Sequence, residues 1–313
     1  MIALKWKRFL GLLLVLMPFA IFAQQDPMYS QYMHNGLAFN PAYAGSRDAI
    51  SLSGLYRQQW SGFSGAPVTQ TISAHLPSFN RRHGFGLSAV NDQISYIGQT
   101  WISGDYAYRI PFGKTKLAFG LRASVNIFRI AWEEADLKDR TDIVATNYPS
   151  QNILPNAGFG MYYYGDRFYI GASVPRLLVN AFDSNTPELT LDDTGPGRLR
   201  RHYFATAGVV IKAGEGLAFK PSTLLKYVAG APMQLDLNLN VYFKEKIGVG
   251  ASYRTGDALV GLLDVFLTPQ LRFGYAYGYT LSDLANYNSG SHELMIGYDF
   301  RFKKDGIASP RLF

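Results

Sequence analysis

From Ala49 onward the chain alternates apolar and polar residues with a period of two, as strands do when their two faces meet different surroundings. Leu235, Leu237, Leu239, Val241 and Phe243 share one face, and Gln234, Asp236, Asn238, Asn240, Tyr242 and Lys244 share the other. Leu271, Phe273, Tyr275, Tyr277 and Tyr279 oppose Arg272, Gly274, Ala276, Gly278 and Thr280 in the same way. So do Leu117 to Ile127 against Arg122, Ser124 and Asn126, and Leu294 to Phe302 against Gly297, Asp299 and Arg301. The pattern predicts fourteen strands, over 47–59, 66–78, 83–94, 99–111, 115–130, 156–164, 167–175, 201–213, 217–229, 232–244, 246–255, 258–267, 270–281 and 291–303.

Alternation alone also fits a soluble sandwich, but here the polar face is mostly Gly, Ser, Thr and Asn, with few charges per strand. The apolar face carries Tyr and Phe near strand ends, as in a membrane barrel with aromatic girdles and a hydrated interior. Every second connection is tight, as at Phe79–Arg82, Gly113–Lys114, Gly165–Asp166, Gly214–Gly216, Lys244–Lys246 and Thr268–Pro269. The intervening ones include two long stretches, Ala131 to Pro155 and Arg176 to Arg200, rich in Asp, Asn and Pro. The fold class read from this is all-β, a 14-stranded antiparallel outer-membrane β-barrel. Closure leaves no strand edge in hydrocarbon. Side chains alone do not fill so wide a barrel, so a lumen or an internal plug is expected.

Charges on the small-residue face should point into that lumen, because intramembrane charge must be hydrated or paired. They are Arg57, Asp105, Arg109, Arg122, Lys226, Asp236, Arg254, Asp264, Arg272, Asp299 and Arg301, read as a bracing network rather than a selective pore.

Composition agrees, with 21 Tyr, 21 Phe, 31 Gly and only 17% charged residues. Lys5, Lys7 and Arg8 precede an apolar run from Phe9 to Phe22, followed by Ala23-Gln24-Gln25, which reads as a secretory signal cut after Ala23. Its removal takes the 30 basic residues to 27 against 23 acidic, a mature charge of +4. No Lys/Arg run with interleaved aromatics points to nucleic acid. Zero cysteine excludes disulfides and thiolate metal sites. The expected division is a signal peptide 1–23, an N-terminal segment 24–46, a barrel 47–303 and a periplasmic tail 304–313.

Catalytic motifs are missing: there is no HExxH, GxSxG or GxxxxGK[ST]. Gly84-Phe85-Gly86 and Gly158-Phe159-Gly160 lie within strands and read as relief of crowding at the wall. His34, His75, His83, His202 and His292 lack metal-ligand spacing and read as surface or strand-end residues, so neither metal nor cofactor is expected. Glu133/Glu134 and Asp192/Asp193 read as loop charge; with Trp132 they are candidate external contacts for a partner.

The stretch "DPMYSQYMHNGLAFNPAYAG", Asp26 to Gly45, resembles the N-terminal pattern of the PorP/SprF family of outer-membrane proteins in the type IX secretion and gliding apparatus of Bacteroidetes. "LSGLYRQQWSGFSGAPVTQTISAHLP", including Arg57-Gln58-Gln59-Trp60, and "HGFGLSAVNDQIS" resemble it as well. The resemblance implies a non-enzymatic component that receives or anchors a secreted adhesin or enzyme bearing a C-terminal sorting domain. Its implied partners are that cargo, other type IX or peptidoglycan-linked periplasmic components, and the lipid bilayer. The rival reading is a fatty-acid-channel-like transporter of small hydrophobic solutes, which should have an apolar cavity where this inward face is small and polar. An enzyme reading comes third.

The N-terminal segment is expected to plug the lumen or cap its periplasmic mouth. Gln31, Tyr32, Asn35, Phe39, Asn40, Pro41, Ala42 and Gly45 carry its motif. Tyr32, Leu37, Phe39 and Tyr43 supply apolar contact, Pro41 blocks ladder pairing, Gly36 and Gly45 permit turns, and Asn40 can cap one.

Overall fold

A computed structural model describes residues 27–133, 151–180, 189–190 and 200–300. The signal segment 1–23, residues 24–26, Glu134, Asp192, Asp193, Arg301 and the tail 304–313 lie outside the described residues.

Fourteen antiparallel strands form one closed ring: β1 (Ile50–Gln58), β2 (Val68–Pro77), β3 (His83–Ile94), β4 (Ile97–Phe112), β5 (Thr115–Ile130), β6 (Gln151–Tyr164), β7 (Phe168–Val174), β8 (His202–Val209, resuming as Ile211–Lys212), β9 (Leu217–Val228), β10 (Gln234–Phe243), β11 (Ile247–Arg254), β12 (Ala258–Phe266), β13 (Leu271–Thr280) and β14 (Ser291–Phe300). Each pairs with its neighbours in sequence, and β1 closes on β14 from Ile50 opposite Phe300 to Gln58 opposite His292. Closure gives the spanning strands ladder partners on both sides through most of their length, as hydrocarbon requires. Among the described residues no helix is long and apolar enough to cross a membrane.

The period-two pattern sorts the side chains. Ile72, Leu87, Ile102 and Leu121 point outward and are 53–71% exposed, making an aliphatic band. Tyr203, Tyr227, Tyr253 and Tyr279 lie outward near one end, and Phe112, Phe243, Phe273 and Phe300 near the other. Two aromatic girdles bracketing an apolar band are the outer surface of a membrane barrel. The end carrying the tight connections is the turn end below, and the opposite one the loop end.

Two prolines lie at the largest departures of the strands from the sequence pattern. β6 begins at Gln151 rather than 156, so Gln151–Pro155 belongs to the strand and not to the long loop. Pro155 sits opposite Val125 of β5. Ala157 accepts from Leu177 N on the side away from β5 (2.7 Å), so Pro155, two residues earlier, turns its missing donor to that same unladdered side. β8 is interrupted at Val210 without a change of register, Gly208 facing Ser222 and Ile211 facing Phe219. The pairs missing from this ladder are those of Val209 and Val210, and the register sets Val209 opposite Pro221 of β9, which has no N–H to give it.

Candidate functional site

From Met28 to Ser46 the chain lies against the inward faces of the strands and is almost wholly buried. It folds into three short pieces, a 3-10 turn Tyr32–His34, a helical turn Gly36–Phe39 and a 3-10 turn Pro41–Tyr43. Pro41 opens the last of these, where a missing N–H costs nothing. Asn40 caps it by accepting from Ala42 N (2.9 Å) and donates from Nδ2 to Met161 O on β6 (2.9 Å). Gly120 and Gly84 clear the approach: a Cβ at either would lie 2.1 Å from Ala42 N or from Ala44 O. The segment begins at the loop end, where Pro27 and Met28 line a cavity with Trp60 and Asp257, and ends at the turn end, where Gly45 meets Leu76 O and Gly84. Its contacts thus extend from residues near the loop end to residues near the turn end.

Charged wall residues bind this segment's own backbone. Near the loop end Glu293 accepts from Ser30 N through Oε2 (2.7 Å) and from Gln31 N through Oε1 (2.8 Å). Arg57 donates to Ser30 Oγ (2.7 Å) and pairs with Glu293 (3.1 Å). Arg254 forks onto Asp236 (2.8 and 3.0 Å) and reaches Tyr29 O (3.2 Å). Midway, Arg122 pairs with Asp105 (2.7 Å) and donates to Leu37 O and Ala38 O. Ser173 Oγ donates to Phe39 O (2.8 Å). Toward the turn end His75 Nδ1 accepts from Gly45 N (3.1 Å), and Arg109 donates to Gly45 O (2.6 Å). Below this, Arg47 forks onto Asp299 (2.7 and 3.2 Å), and Asp48 takes Lys116 (3.0 Å) and Arg109 (3.5 Å).

His34 is held differently. Its Nε2 lies 3.1 Å from Asp264 Oδ2, which also accepts from Tyr242 OH (2.9 Å), while Nδ1 is buried with no hydrogen-bond partner among the described residues. An imidazolium would leave a buried N–H unsatisfied, so the neutral Nε2–H tautomer fits. Burial lowers the His34 pKa to about 3, though Asp264 pulls it the other way.

Every motif residue from Gln31 to Gly45 is buried, and the Asn35 amide has no hydrogen-bond partner among the described residues. The described lumen charges, Arg57, Asp105, Arg109, Arg122, Lys226, Asp236, Arg254, Asp264, Arg272 and Asp299, all point inward. Trp132 and Glu133 lie at the loop end, with Trp132 beside Tyr96 at 6.5 Å between ring centroids. The histidine reading needs correction: His34, His75 and His202 are buried at 3–5% exposure. His75 shares the parity of Thr69, Thr71 and Ser73 on β2, a signal of inward facing that was there to be read. Glu293 and Lys220, at 1% and 0% exposure, were also missed, although Glu293 shares the parity of Gly297 and Asp299. No group of metal-binding residues occurs among the described residues.

Between segment and wall the cavities are small, about 30 Å³ beside Phe39 and Phe204 and about 20 Å³ beside Tyr32 and Tyr169. The cavity at the loop-end mouth measures about 540 Å³.

A family model described as type IX secretion system membrane protein PorP/SprF matches residues 21–298. No curated protein matches. Among solved structures the CymD monoaromatic hydrocarbon channel is similar, at 12% identity over 86% of this chain and 93% of that chain, with a TM-score of 0.52, a likeness of fold. The TodX deltaS2S3 mutant monoaromatic hydrocarbon channel matches at 9% identity over 85% and 94%, with a TM-score of 0.48. The Acinetobacter baumannii outer membrane protein Omp33 matches at 11% identity over 82% and 100%, with a TM-score of 0.44.

Proposed function

Because the chain belongs to the PorP/SprF family of type IX secretion system membrane proteins, we propose that this outer-membrane barrel receives or anchors a secreted protein at the cell surface and is not itself the conduit. The observation that carries the reading is the N-terminal segment, whose backbone is bound by Glu293, Arg122, Ser173 and Arg109 from around the ring. A chain held by so many separate strands acts as a plug, and residues 24–46, following a signal cleaved after Ala23, form it as a unit. Along Tyr32 and Phe39 the cavities are water-sized, and the larger one at the loop-end mouth is lined by Asp92, Lys226, Arg254 and Asp257, a charged setting that does not suit a hydrophobic solute.

The client is a cargo carrying a C-terminal sorting domain. Its contacts lie on the loop-end connections that include Trp132, Glu133, Glu134, Asp192 and Asp193. The wall charges then brace the barrel and fix the plug instead of selecting ions, and the family's secretion components meet the turn end. No step of this role calls for catalysis. Deleting the gene and probing intact cells with antibody to the cargo tests the reading: surface display should be lost while the cargo is still made. Normal display in the deletion strain would contradict it.

A further inference from the structure

We propose that the rim of the barrel at its turn end is a binding surface for anionic phospholipid headgroups. Arg81 and Arg82 on the β2–β3 turn, Lys114 on the β4–β5 turn and Arg167 on the β6–β7 turn are exposed. Across the ring, Lys212 ends β8, and Lys244 and Lys246 lie on the β10–β11 turn, exposed as well. The same turns carry only Asp166, Glu215 and Glu245 as acidic residues, with Lys212 Nζ 3.4 Å from Glu245. Seven basic residues against three acidic give this end a net positive field. In sequence, the two long connections 131–155 and 176–200 carry the reverse balance, nine acidic to five basic.

The distribution says what the surface fits. Basic residues stand on four of the six turns, and Lys212 ends the strand that leads into a fifth, so only Leu267–Gln270 has none and they surround the barrel. A protein docking from one side would be matched by a one-sided patch, whereas headgroups encircle a barrel. Phe79 is fully exposed at the tip of the turn that carries Arg81 and Arg82, and Phe112, Phe243 and Phe300 ring the outer wall just above. Aromatic residues mark the membrane interface, which sets the basic rim at headgroup level. There, Arg forks and Lys ammonium groups donate to phosphate oxygens. This surface does not depend on the cargo reading.

The test uses the intact barrel in nanodiscs of mixed phosphatidylglycerol and phosphatidylcholine, with native mass spectrometry of the lipids it carries on extraction. Phosphatidylglycerol should be retained over phosphatidylcholine by about tenfold at low salt, with the preference collapsing near 1 M salt, where the Debye length is about 3 Å. The combined variant R81Q/R82Q/K114Q/K244Q/K246Q should lose the preference while keeping the heat-modifiable electrophoretic mobility of a folded barrel. Equal retention of the two lipids, or an undiminished preference in the folded variant, overturns the proposal. Displacement of the lipid by inorganic phosphate alone would assign the rim to the free anion and overturn it too. Absence of lipid preference together with salt-sensitive capture of an acidic protein would reassign the rim to a protein partner.

Discussion

Glu293 shows how much of this interior rests on single atoms. Each carboxylate oxygen accepts a different backbone N–H, from Ser30 or Gln31, and one also faces Arg57. In Glu293→Gln one oxygen becomes a donor pointed at a donor, and Arg57 loses its counter-charge. Breaking a buried pair in this way should cost about 3 kcal/mol, readable as a lowered midpoint in urea unfolding from liposomes; an unchanged midpoint would contradict the assignment. His34, on the N-terminal segment and not on a spanning strand, gives a pH signature. Its folded pKa of about 3 lies below the ordinary histidine value. The fold favours the neutral base, so this contribution is complete above about pH 6.5 and is lost as the unfolded chain takes up the proton below it. Melting temperatures in detergent should fall from neutral pH toward pH 4, and His34→Gln, which keeps a donor for Asp264, should flatten that fall. Identical slopes in the two proteins would sink the idea. At this scale the sequence was legible by parity: alternation on β5 and β10 placed Arg122 and Asp236 inside. It was silent on what they touch, because the partners of Arg122 at Leu37 and Ala38 lie 84 or more positions away in the chain.

Strands were the most readable elements, because a single period had to satisfy lipid outside and a polar lumen inside. Where the reading slipped, a backbone feature had changed the ladder without changing the face. Pro155 looked like the end of a loop, yet its missing donor faces the unladdered side of β6. Pro221 interrupts the β8 to β9 ladder opposite Val209 while leaving the alternation intact. The N-terminal segment is an element with no period to read; Asn-Pro and scattered aromatics signalled order, and the path through the lumen came only with the wall glycines that admit it. Gly120→Val tests that fit, since its first added atom would fall 2.1 Å from Ala42 N. The barrel should still form, but the segment should become open to protease in detergent. Gly261→Val, with no atom within 4 Å of its Cβ, should leave the segment protected. Equal protection in both would mean that Gly120 does not seat the segment.

For the whole molecule, closure of the sheet by β1 on β14 makes a continuous wall, and the segment from Met28 to Ser46 lies buried against its inward faces. Family membership assigns the barrel to type IX secretion, while a bound and buried segment argues for a holder of cargo rather than a passage for it. The measurement that bears most directly on this is single-channel recording in planar bilayers, comparing the intact mature protein with one lacking residues 24–44. The intact barrel should be electrically silent and the truncated one should pass a steady current. A steady, ion-selective current through the intact barrel, or silence from a folded truncated one, would contradict the account.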